Sequence, residues 1–151
     1  MARGFSLQIL LEHATHRLEA AERLLRILGR KEEAARQRLE EIQGYKREYQ
    51  QRMTGAGEQG MAIHLLRDYH AFLLKVDQAI QHQESEVVRA HEHWQAAHDK
   101  WLDQRRQVKA YEVLAQRHRH EVNRLEEKRD QRVTDEAAAQ KYHPLGGRNL
   151  S

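Results

Sequence analysis

"TGAGEQG", residues Thr54–Gly60, puts three glycines into seven positions and offers no apolar anchor. Such a stretch marks a turn. It is the only strong internal break, and the sequence on either side of it repeats in steps of four and three. Before it, Leu11, Leu18, Leu25, Leu39 and Met53 take one position of a seven-residue repeat, with Glu32 and Lys46 as the exceptions. Leu7, Ala14, Ala21, Leu28, Ala35, Ile42 and Tyr49 take the other. After it, Leu66, Leu73, Ile80, Val87, Trp94, Trp101, Val108, Ala115 and Val122 recur without a slip. Tyr69, Val76, Gln83, Ala90, Ala97, Gln104, Tyr111, His118 and Leu125 follow three residues later in each heptad. A strict heptad over this many turns specifies helices that supercoil left-handedly about a shared seam.

Two heptad helices joined by a short glycine turn fold back on each other. The expected fold is all-α, a long two-helix antiparallel coiled-coil hairpin forming a single domain over residues 1–151. Helix one spans about 5–53, the turn 54–60, helix two about 61–141, and 142–151 form a tail. Pro144 and two glycines in "YHPLGGRNLS" argue against more helix there. Folding about residue 57 sets Leu7 opposite the region of Val108. Helix two then outruns helix one by roughly thirty residues, about 45 Å at the helical rise, as an overhang carrying Tyr111, Leu114, Val122 and Leu125.

Composition agrees. Mean hydropathy is −0.96 and 32% of residues are charged, too polar for a compact core yet nearly free of helix breakers. The absence of cysteine removes disulfide and thiolate chemistry and suits a reducing compartment. The apolar run in "MARGFSLQILL" is too short and too soon interrupted for a signal peptide or a membrane span. These features point to the cytoplasm.

Eleven histidines invite a metal reading, but "HEHWQ", His91–Gln95, departs from the zinc-protease pattern at its last residue. His91 and His93, two apart on a helix, face nearly opposite ways. No phosphate loop or nucleophile elbow is present. The expectation is a protein without catalytic residues, metal or cofactor. Residues 1–31 hold six basic against three acidic side chains and residues 101–151 eleven against eight, while 54–100 hold four against seven. A hairpin would therefore be positive at its open end and negative toward its turn. The basic residues alternate with acids and have no aromatic platform, which argues against nucleic acid.

"DYHAFLLKVDQAI", Asp68–Ile80, holds more apolar residues than one seam uses. Tyr69, Leu73, Val76 and Ile80 belong to the seam. Phe72 flanks it, with Leu65 one heptad earlier, and Leu74 lies outside, so surplus apolar surface near the turn suits a docked partner. At the other end Leu7, Leu10 and Leu24, with Ile9 and Ile27, likewise exceed one seam.

"GYKREYQQRM" before the turn, "DYHAFLLKVDQAI" after it, and "HDKWLDQRRQVKAYEVLAQR" further on resemble the FliJ family of flagellar export proteins over nearly the whole chain. The most specific parts are Tyr45 and Tyr49, the Tyr69–Phe72–Leu73–Asp77–Ile80 string, and Trp101 with Arg105, Arg106 and Lys109. The resemblance implies a cytoplasmic component of the bacterial flagellar type III export apparatus, peripheral to the inner face of the cell membrane at the flagellar base. It implies a hairpin like the stalk of rotary ATPases, whose open end sits in a hexameric export ATPase ring and whose turn end reaches the cytoplasmic domain of a membrane export gate. Phe72 and Val76 are carried over as gate contacts, joined by Leu65, Tyr69 and Leu74. On the ATPase side the expectation is Leu7, Leu10, Leu24, Arg105, Arg106, Lys109, Tyr111, Leu114, Arg117, Arg124 and Lys128. A monomer is implied, with export chaperones as further partners. A virulence-type secretion stalk and a self-associating scaffold coiled coil are the alternatives.

Overall fold

A computed structural model of the chain describes residues 2–146. It holds two helices, α1 (Ala2–Glu58) and α2 (Ile63–Gly146), packed against each other, and no strand among the described residues. The all-α helical hairpin expected from the heptads is the fold observed.

The break is shorter and later than expected. α1 continues through Gly55 and Gly57 and stops at Glu58. Among the described residues only Gly60, at φ 91°, lies in the left-handed region, and reversing the chain there requires no second glycine. The Gln59 and Gly60 amides bond back to the Ala56 and Gly57 carbonyls at 3.2 Å. Ala62 immediately precedes α2, its carbonyl accepting the Leu65 and Leu66 amides at 3.1 Å each. Gly55 and Gly57 each weaken a helix by about 1 kcal/mol relative to alanine, which is too little to end one already propagating.

At the other end α2 runs past Lys141 and through Pro144 to Gly146, where a helix had not been expected. A proline that close to a helix end removes one hydrogen bond from a ladder that stops two residues later. The remainder of the expected tail, 147–151, lies outside the described residues.

The chain, read from sequence as one domain, divides into two compact units. In the unit of residues 17–104, α1 and α2 run antiparallel in a single register: Glu22 meets Trp101, Gly29 meets Trp94, Glu32 meets His91 and Lys46 meets Asp77. The half-buried positions of α1 include the predicted seam, from Leu18, Ala21, Leu25 and Leu28 through Leu39, Ile42, Tyr49 and Met53. On α2 they run from Tyr69, Leu73, Val76 and Ile80 to Trp94 and Trp101, with Ala97 buried between the last two. Leu66 departs from the pattern and is exposed. A Cβ built on Gly55 or Gly57 would meet nothing within 4 Å, so the end of α1 has no side chain there to cover it.

In the unit of residues 1–16 and 105–151, Leu7, Leu11 and Ala14 of α1 and Val108, Tyr111, Ala115 and His118 of α2 are the sheltered positions. Gly4 lies against the His118 ring, and Leu7 shares a cleft with Ala115 and His118. Leu7 therefore sits further along α2 than Val108, because the later turn shifts the register by several residues. From Glu121 to Lys141 every side chain of α2 is exposed. The overhang thus begins near residue 121, and it keeps Val122 and Leu125 but not the half-buried Tyr111.

Candidate docking surfaces and the seam between them

The interior between the helices is thin. Only Ala14, Ala97, Val108 and Gln83 are buried among the described side chains, and no large one is fully buried. The helices are held by a ladder of half-covered residues, so a polar side chain in the seam must find its partner across it. Three of the polar seam residues do so, whereas the buried Oε1 of Gln104 has no hydrogen-bond partner among the described residues. Gln83 donates from Nε2 to the Ala35 carbonyl at 3.0 Å. Lys46 places Nζ 2.6 Å from Asp77 Oδ1. Glu32 Oε1 receives Arg36 Nη2 at 2.7 Å along its own helix and lies 2.8 Å from His91 Nδ1 on α2. The Arg36 hydrogen bond, aided by His91 and opposed by partial burial, holds the Glu32 carboxyl below its usual range and raises Arg36 in turn.

Beside these pairs α2 stacks a column of rings. His91, Trp94, His98 and Trp101 follow one another at centroid separations of 5.9, 5.1 and 5.6 Å. Gly29 faces this column, and a Cβ there would lie at ordinary van der Waals contact, 3.6 Å from the Trp94 ring. The Trp101 indole N–H points to Glu22 Oε1 at 3.5 Å. Sequence reading placed both tryptophans in the seam and the histidines in solvent or beside it, but not in a column; their spacing of three and four residues from the tryptophans was the available signal.

Near the turn, in the unit of residues 17–104, Tyr49 packs against Tyr69 at 5.5 Å and Phe72 at 4.5 Å. Of the expected gate residues, Tyr69 and Val76 are half-buried in the seam, while Phe72, Leu65 and Leu74 are exposed, Leu74 by 64%. Ile63 was missed and is the most exposed of them, at 73%. It opens α2, where the heptad pattern has not yet begun. Tyr45 is also exposed.

The expected ATPase residues are divided between the two units. Leu24 belongs to the unit of residues 17–104 and is exposed. Leu7 and Tyr111 are half-buried in the other unit, where Leu10, Leu114, Arg117, Arg124 and Lys128 are exposed. Arg105, Arg106 and Lys109 are exposed as well. Val113 and Val133, exposed on the same helix, were missed because neither stands at a seam position. Among the described residues no group of three or more His, Asp or Glu is arranged to hold a metal ion, and no helix is long and apolar enough to cross a membrane.

No curated protein and no solved structure matches the chain. The family model for the flagellar FliJ protein matches residues 3–145, which takes in both helices, the turn and nearly all of the overhang. The chain belongs to the FliJ family.

Proposed function

We propose that this chain is a non-catalytic, stalk-like component of the bacterial flagellar type III export apparatus, linking a hexameric export ATPase ring to the cytoplasmic domain of a membrane export gate. In this role it promotes ring assembly and protein export for flagellum biogenesis, and hence motility. It acts as a monomer at the inner face of the cell membrane, with export chaperones as further partners. FliJ family membership ties the chain to flagellar export. The observation that carries the finer reading is apolar surface left uncovered at two places. One is the turn end, with Ile63, Leu65, Phe72 and Leu74; the other is the α2 overhang, with Val122, Leu125 and Val133. Uncovered apolar side chains in a chain this polar favour a partner at each place.

The gate is assigned to the turn end through Leu65, Tyr69, Phe72, Leu74 and Val76. The ATPase is assigned to Leu7, Leu10, Leu24, Arg105, Arg106, Lys109, Tyr111, Leu114, Arg117, Arg124 and Lys128. The test is to add the purified protein to the export ATPase and follow ring assembly and ATP turnover. Stimulation of both is expected; an ATPase indifferent to the protein would sink the stalk reading.

A further inference from the structure

We propose that the hairpin has a second stable register, in which α1 is drawn back from the turn along α2 by one heptad. The seam repeats every seven residues, so such a shift returns every seam layer to a seam layer. What normally forbids it is the polar residues, which pin a coiled coil to one register. Here Glu32, Lys46 and Gln83 each find an equivalent partner seven residues further along the facing helix. Glu32 leaves His91 for His98, and Lys46 leaves Asp77 for Glu84. Gly29, which accommodates Trp94, receives Trp101 instead, and Trp94 comes to Arg36, whose cation suits an indole face. Gln83 bonds to a backbone carbonyl, Ala35, and seven residues on the Ile42 carbonyl takes its place. The opposite shift lacks this match, because it sets Glu32 against Glu84.

The connection can supply the length. One heptad of helix is about 10.5 Å. Unwinding the five residues Thr54–Glu58 from helix to extended chain yields about 1.8 Å each, about 9 Å in all, and straightening the Gln59–Ala62 connection supplies the rest. These five residues, "TGAGE", are all exposed and hold two glycines that favour leaving a helix. The shift also has a compensation. It gives up the contact of Tyr49 with Tyr69 and Phe72. In the unit of residues 1–16 and 105–151, it moves Leu7 from Ala115 and His118 toward Val122 and Leu125, which continue the seam and are otherwise exposed.

The test is a distance measurement by pulsed electron paramagnetic resonance. Because the chain has no cysteine, spin labels can be placed at Glu40→Cys and Lys100→Cys, both exposed positions. In the observed register they lie about 25 Å apart along the helix axis, and after the shift about 15 Å. Two populations are expected, the second about 10 Å shorter. Phe72→Ala, which removes a contact present only in the first register, should raise the shorter population several-fold. Gly55→Ala with Gly57→Ala, for which the space is open, should stiffen the end of α1 and lower it on the order of tenfold. These glycine variants favour helix, so loss of folding cannot mimic the result. One unchanging distance in all three proteins, a second population that is longer, or a shorter one indifferent to the glycines would each overturn the proposal.

Discussion

Leu74→Ala separates docking from folding at the turn end. Leu74 lies on the outside of α2 with 64% of its surface in water, whereas Val76, two residues on, is half-buried in the seam. Burying a whole leucine side chain is worth about 1.5–3 kcal/mol. The exposed 64% of Leu74 leaves roughly 1–2 kcal/mol for a partner to recover, a five- to thirtyfold change in affinity. The effect on folding should be small, within about 0.5 kcal/mol as for other surface positions, and alanine's helix propensity is the higher of the two. The assay is calorimetric titration against the purified cytoplasmic domain of the export gate, paired with thermal unfolding followed by circular dichroism. Weakened binding with an unchanged unfolding midpoint is expected. Binding within twofold of the parent protein would remove Leu74 from the docking surface. A midpoint lowered by more than about 2 °C, which corresponds to roughly 0.5–1 kcal/mol in a chain of this size, would refute its outward placement.

Other perturbations probe the seam and the overhang. Removing residues 121–151 spares Ala115 and His118, which stand beside Gly4 and Leu7; the product should stay folded by circular dichroism yet fail to stimulate the export ATPase, and full stimulation would move the grip elsewhere. Glu32 has a lowered carboxyl pKa, so its contribution to stability is present above its unfolded value near 4.5 and fades as pH falls through the folded one. Glu32→Gln should therefore melt below the parent at neutral pH, with the gap closing in acid, and a gap that stays constant between pH 7 and 3 would contradict the pairing with Arg36 and His91. Gly29→Ala places a Cβ at ordinary contact, 3.6 Å from Trp94, and should stabilise the helix by about 0.5–1 kcal/mol, seen as a midpoint raised by a few degrees; a lower midpoint would mean that the ring column needs the glycine empty.

Most of the architecture is local information, and the sequence alone determined it. The heptad that marks Leu18, Leu25, Ile80, Trp94 and Trp101 as seam residues follows from where side chains point on a single helix, so no knowledge of the partner helix is required. The outward placement of Leu74 and the flanking one of Phe72 were legible for the same reason. The tertiary structure decided where the chain turns, and with it the register. Three glycines advertise a turn, but only Gly60 takes a left-handed φ while Gly55 and Gly57 stay helical, a choice set by a balance of about 1 kcal/mol per residue. That small difference displaced Leu7 from Val108 toward Ala115 and His118 and returned Tyr111 to the covered part of α2. It also decided the meaning of Glu32, Lys46 and Gln83. In the sequence they interrupt the seam; in the fold they meet His91, Asp77 and the Ala35 carbonyl. Partners so far apart along the chain are chosen by the register of two helices, and no periodicity within either helix contains that register.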